Sequence, residues 1–256
     1  MLKATLIFYL LSCFLCVTAQ TDSLRDTVIQ MRPADRTHKF RVRQAIAPVA
    51  LITIGVFGVH NDWFIGQSKD LQEELQENID KKFTVDDYMQ YVPAASVYAL
   101  NLCGLKSTHN YVDCTVVLAM SYLTMGIITN TMKYTFREMR PDNSSRNSFP
   151  SGHTATAFAG AELLFQEYKS VSPWIGAAGF AAATFTGFMR MYNNRHYLND
   201  VIAGAGIGIA SVKLSYWLYP YIFKNKAHPS KKHSAKFIGA PYYNGEQLGC
   251  NAIITF

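Results

Sequence analysis

Charged side chains are scarce in this sequence: Asp, Glu, Lys and Arg make up 16% of 256 residues, against about 25% in an average soluble domain. With 49% hydrophobic residues, that balance excludes a disordered chain, and five cysteines are too few for a disulfide scaffold. Long unbroken apolar runs are few as well. Of the apolar segments bounded below, only 114–132 reaches nineteen residues without a charge, while Glu162 and Lys213 interrupt two others. The usual measure of about twenty apolar residues for a membrane span is therefore met weakly. No internal repeat or low-complexity segment is present. A mean hydropathy of +0.02 is low for a chain made of spanning helices alone and predicts apolar helices joined by polar loops.

The formal charge is +6, but the basic residues gather in two terminal stretches and around one loop. That distribution fits membrane topology or anion binding and predicts no nucleic-acid partner. Residues 1–19 carry one charge, Lys3, then an apolar run ending Val17-Thr18-Ala19, the pattern of a signal peptide cleaved after Ala19; an uncleaved anchor is the alternative. Cleavage leaves Cys103, Cys114 and Cys250, none with zinc-type spacing.

Residues 21 to 43 are polar, with six basic side chains. Apolar segments follow at roughly 44–59, 91–105, 114–132, 151–165, 173–189 and 201–221, lengths that suit helices. The expected class is all-α: a bundle of five or six apolar, membrane-spanning helices with a short C-terminal hairpin-like tail, a soluble helical bundle being the alternative. In Asp70 to Lys82, Leu71, Leu75 and Ile79 recur at every fourth residue, which predicts an amphipathic surface helix. Tyr243-Asn244-Gly245-Glu246 signals the turn of the hairpin. Four parts result: a signal peptide (1–19), a polar and amphipathic N-terminal region with one short apolar helix (20–90), a catalytic domain (91–222) and a basic C-terminal tail (223–256).

The stretch 61–90 holds eight acids and 224–236 holds five lysines and no acid. On the positive-inside rule the latter is cytoplasmic and the former outside, together with the loops at 133–150 and 190–200. The basic run 21–43 breaks that pattern. Either the short segment 44–59 is interfacial or re-entrant, leaving five spans, or the first hydrophobic stretch is not cleaved.

Three clusters sit at the ends of the apolar helices. Lys133 is followed seven residues later by Arg140-Pro141; two helical turns let both cations share a face, and Pro141 biases Arg140 out of the helix. Pro150-Ser151-Gly152-His153 precedes a helix, so a serine cap and free N–H groups form an anion site with an imidazole at its rim. Arg190 precedes His196 and Asp200, where an i, i+4 spacing lets the carboxylate hold one ring nitrogen and leave the other nucleophilic. Consecutive helices running down and up bring all three to one face. That face offers cations, N–H donors and two imidazoles without a carboxylate cage, which predicts phosphoryl chemistry needing neither metal nor cofactor.

These motifs resemble the three-part signature of the phosphatidic-acid phosphatase type 2 and vanadium haloperoxidase superfamily. The signature covers 133 to 200, and its helical setting about 90 to 222. The resemblance implies that His196 attacks phosphorus, that Asp200 orients it, and that His153 protonates the leaving alcohol and then activates water. It also implies that Lys133, Arg140, Ser151, Gly152 and Arg190 hold the phosphoryl oxygens. One position departs: the third motif often begins Ser-Arg, and here Met189 precedes Arg190.

The expected activity is hydrolysis of a phosphate monoester or diphosphate on a membrane lipid such as lipid A, undecaprenyl diphosphate, phosphatidylglycerol phosphate or phosphatidate, at the outer face of the cytoplasmic membrane. A soluble secreted acid phosphatase, a haloperoxidase and a non-enzymatic phospholipid binder are the alternatives. His38, His60, His109, His228 and His233 lack matching partners and are read as solvated or structural.

Overall fold

The structure, a computed structural model, describes residues 42–77, 83–223, 236–243 and 248–255. The expected signal peptide, the basic run 21–41, His38, His228 and His233 lie outside them. Eight helices occur among the described residues: α1 (Val42–His60), α2 (Asp62–Glu77), α3 (Val85–Met89), α4 (Val92–Leu102), α5 (Tyr111–Phe136), α6 (Gly152–Tyr168), α7 (Pro173–Tyr192) and α8 (Leu198–Ile222). Strands β1 (Lys236–Tyr243) and β2 (Leu248–Thr255) pair antiparallel, Lys236 opposite Thr255 and Tyr243 opposite Leu248. The turn residues 244–247 are outside the described set.

The ends of these helices follow from their residues. Asn110 caps α5 by accepting the Asp113 N–H at 2.8 Å, and Ser151 accepts the Thr154 N–H at the start of α6. Pro173 opens α7, where its missing N–H costs nothing. Arg137, at φ 48, turns the chain into the left-handed region and ends α5.

Helix α6 is the axis of the bundle and packs against α4, α5, α7 and α8. Its sequence is rich in small residues, and Ala155, Ala157, Ala159 and Ala161 are fully buried. Helix α8 meets it with glycine: a Cβ on Gly208 would lie 2.3 Å from the Ala155 carbonyl oxygen, and one on Gly204 2.5 Å from that of Ser151. Lipid tails are as apolar as leucine, so helices in a bilayer associate through such close backbone approach and through polar pairs.

One polar pair answers a difficulty in the sequence. Glu162 and Lys213, the charges that interrupt two apolar segments, are partners at 2.7 Å, and Gln166 donates to the same carboxylate at 2.6 Å. A buried charge is costly alone and tolerable when paired and hydrogen-bonded. Nearby, Glu167 is fully buried and accepts from His109 Nδ1 at 2.8 Å and from Tyr216 Oη. His109, expected to have no matching partner, thus ties the α4–α5 connection to α6.

Helices α1, α5 and α8 are long and apolar enough to cross a membrane. Segment 44–59, expected to be short, is a nineteen-residue helix, because Val42, Arg43 and His60 continue it at both ends. Helix α8 buries most of its length, whereas α1 and α5 expose Ile46, Phe57, Leu123 and Ile127. Exposed apolar side chains on that scale suit a lipid surface.

The expected amphipathic helix begins earlier than periodicity placed it, at Asp62, and its buried residues are Ser68 and Gln72. Gln72 Nε2 donates to the Met191 carbonyl and to Asn194 Oδ1, and Gln76 Nε2 to the Tyr192 carbonyl. Amides bonding the end of α7 dock this helix, while Leu71 and Leu75 stay half-buried. Cys103 is exposed, Cys114 is buried, and both are free thiols.

Candidate active site

Helix ends build the site. Lys133 lies in the last turn of α5, Ser151 and Gly152 at the start of α6, Arg190 in the last turn of α7, and Asp200 in the first turn of α8. The Ser151 N–H donates to the Asp200 carbonyl at 3.0 Å, joining the first turns of α6 and α8.

His196 is 1% exposed and donates from Nδ1 to Asp200 Oδ2 at 3.2 Å. The contact has the expected partners but not the expected local geometry. His196 precedes α8, and Asp200 reaches back as the third residue of that helix, accepting the Tyr197 N–H at 3.0 Å with the same oxygen. One carboxylate thereby caps a helix and fixes an imidazole. Its Oδ2 also accepts from Ser148 Oγ at 2.5 Å. Burial first, opposed by Asp200 and reinforced by the charges of Arg190 and Lys133, pushes the His196 imidazole down to about 4. It is neutral at pH 7, and its Nε2 lies outside the contact with Asp200. Glu138 borders the same group: burial and the Asp200 charge hold its carboxyl well above the usual carboxylate range.

The cations are fixed by backbone and amide groups. Lys133 Nζ donates to the carbonyls of Asn147 and Ser148. Arg140 does not share a helical face with Lys133, because the left-handed turn at Arg137 has already ended α5. Its Nε instead donates to Asn147 Oδ1 at 2.8 Å. Burial, then the Arg190 charge, holds Arg140 below the ordinary guanidinium value. Cations crowded this way favour an anion between them.

A cavity of about 310 Å³ opens here, lined by Arg140, Arg190, Arg195, His153, Asp86 and Asp87 among others. Three expected site residues, Arg140, His153 and Arg190, reach it. His196, Asp200, Lys133, Ser151 and Gly152 do not line it, although the charges of Arg190 and Lys133 act on His196. A Cβ on Gly152 would meet nothing within 4 Å, so the space beside its Cα is open. Arg190 Nε is buried without a hydrogen-bond partner among the described residues. Such a donor is costly to leave unmade, and a phosphoryl oxygen would satisfy it.

Sequence reasoning missed five participants. Asp86 accepts from Arg190 Nη1 at 2.5 Å, and Asp87 lies 3.5 Å from the same nitrogen and 2.9 Å from His153 Nε2. Asn193 Nδ2 donates to Asp86 Oδ1 at 2.9 Å and to the Phe83 carbonyl at 2.7 Å. Arg195 Nη1 donates to Asp142 Oδ2 at 2.9 Å on the cavity wall. Ser148 is the fifth. Arg195, Asn193 and Ser148 stand within the recognised motif region; Asp86 and Asp87 lie over a hundred positions before Arg190, and no local signal links them to it.

Residues 114–224 match the family model described as PAP2 superfamily. A lipid A 1-phosphatase of Porphyromonas gingivalis is 42% identical over 142 residues, covering 55% of this chain and 32% of that protein. A lipid A 1-phosphatase of Rhizobium johnstonii is 33% identical over 101 residues, covering 32% of this chain and 38% of its own length. The matched region is thus about a third of the length of these relatives. The crystal structure of LpxE from Aquifex aeolicus shares 24% identity at a TM-score of 0.43, covering 57% of this chain and 92% of that one. Over residues 114–224, under half its length, this chain is thus similar to the PAP2 superfamily.

Proposed function

We propose that this protein is a membrane phosphatase that removes phosphate from a lipid through a phosphohistidine at His196, and that its substrate is a lipid A 1-phosphate or a similarly phosphorylated lipid. The observation that carries the reading is a buried imidazole, held through Nδ1 by Asp200, beside the buried Arg190 Nε that finds no acceptor among the described residues.

In this mechanism Lys133, Arg140, Arg190, the Ser151 hydroxyl and the Gly152 N–H hold the phosphoryl oxygens, where charge builds in the transition state. His196 Nε2 attacks phosphorus and the bond to the leaving oxygen breaks as His153 gives that oxygen a proton. Water then attacks the phosphohistidine, its proton passes to His153, and inorganic phosphate leaves.

Support for a lipid comes from the apolar surfaces of α1 and α5 and from the relatives, which are lipid A 1-phosphatases by name. Residues 91–222 form the catalytic domain in this reading, and its site faces the periplasm or exterior. Phosphate release by purified protein in chelator tests the reading, comparing Kdo-free lipid A, phosphatidate and an aryl phosphate, alongside His196→Ala. Chelator-resistant, His196-dependent release that favours a lipid is expected. Preference for the aryl ester would instead indicate a soluble-substrate acid phosphatase.

A further inference from the structure

We propose that Asp87 is a positioning residue for His153, so that each of the two site imidazoles has its own carboxylate. This inference rests on the phosphatase reading above. His196 is held through Nδ1 by Asp200, while His153 donates from Nε2 to Asp87 Oδ1 at 2.9 Å. The two rings are thus held through opposite nitrogens: His196 keeps Nε2 for phosphorus, and His153 keeps Nδ1 for proton transfer. A carboxylate on one nitrogen fixes which tautomer the ring adopts and favours its protonated form, which a group that must donate to a leaving oxygen requires.

The contact belongs to a built framework. Asn193 is 5% exposed and clamps the chain before α3 from both sides: its Nδ2 donates to the Phe83 carbonyl, and its Oδ1 accepts the Phe83 N–H at 3.1 Å. Asp86, 1% exposed, is locked between Arg190 and Asn193. With its neighbour pinned, Asp87 is delivered to His153 at the cavity wall, its own side chain half exposed. Asp86 is the nearer acceptor for the Arg190 guanidinium, at 2.5 Å against 3.5 Å for Asp87 Oδ1, and Asp87 Oδ1 lies closer to the imidazole, at 2.9 Å. Asp87 does not take the place of phosphate, because Arg190 Nε has no acceptor and the space over Gly152 stays open.

The test is a double-mutant cycle on the full chain, measuring steady-state release from the lipid phosphate that wild type hydrolyses. Asp87→Asn should lower kcat about ten-fold or more with little change in KM, and Asp87→Glu, which keeps a carboxylate within reach, should recover most of it. In a His153→Ala background, Asp87→Asn should cost little further, since the ring it positions is gone. Additive losses would overturn the proposal, as would a Glu variant as slow as the Asn variant. A gain in activity for Asp87→Asn would also overturn it and mark the carboxylate as a competitor of phosphate. Wild type without release from any phosphate ester would overturn the phosphatase reading and this inference together, whereas active wild type with an unaffected Asp87→Asn would overturn this inference alone.

Discussion

Asp200 Oδ2 accepts from His196 Nδ1, the Tyr197 N–H and Ser148 Oγ, so a single oxygen sets the ring, the helix start and the preceding loop. Ser148→Ala removes one of these donors. It should lower kcat several-fold and stability by about 1 kcal/mol, read from steady-state kinetics and thermal unfolding in detergent. The His196 imidazole titrates at about 4 in the folded protein, below the ordinary histidine value of about 6.5. Its contribution to stability is therefore fully present above pH 6.5 and lost as the pH falls through 4. Wild type should lose stability over that window relative to His196→Asn, by up to roughly 3 kcal/mol for a shift of this size. Parallel unfolding curves for the two proteins from pH 7 to pH 4 would contradict the neutral, desolvated ring.

The apolar helices that the sequence predicts are the helices that form, because their hydrophobic periodicity and their Asn, Ser and Pro starts are local properties of the chain. The two interrupting charges, Glu162 and Lys213, were not legible as a pair, since only the packing of α6 on α8 brings them together. Lys213→Met should leave Glu162 buried and unpaired and cost about 3–5 kcal/mol, whereas Glu162→Gln with Lys213→Met should restore much of it. A single variant as stable as wild type would show that the pair is solvated. The α6–α8 seam makes a second prediction: Gly208→Val drives a side chain into the Ala155 carbonyl and should abolish both folding yield and activity, while Gly126→Ala, in open space on α5, should do neither. The site was legible to a similar depth. Spacing along 133–200 identified the residues at helix ends, but α2 and α3 dock through Gln72, Asn193 and Asp86, whose polar character reads as exposed in one dimension. Acidic residues of 61–90 read as topology signals, and two of them reach Arg190 and His153 at the candidate site.

At the scale of the molecule, three helices among the described residues are long and apolar enough to span a membrane, and the candidate site is made from helix ends on one face. The proposed orientation puts that face outside and the α4–α5 connection in the cytoplasm. Cys103 is exposed there and Cys114 is buried. An impermeant maleimide should leave Cys103 unlabelled in intact spheroplasts and label it after lysis, with Cys114 inert in both; labelling of intact cells would reverse the orientation. The most direct measurement is the covalent step itself. Purified protein in chelator is mixed with radiolabelled lipid phosphate and quenched in alkali, and the bound label is mapped to a peptide. Acid-labile, alkali-stable label on the peptide holding His196, absent from His196→Ala, is the predicted result. Phosphate release that persists in His196→Ala with no label trapped on wild type would contradict the account.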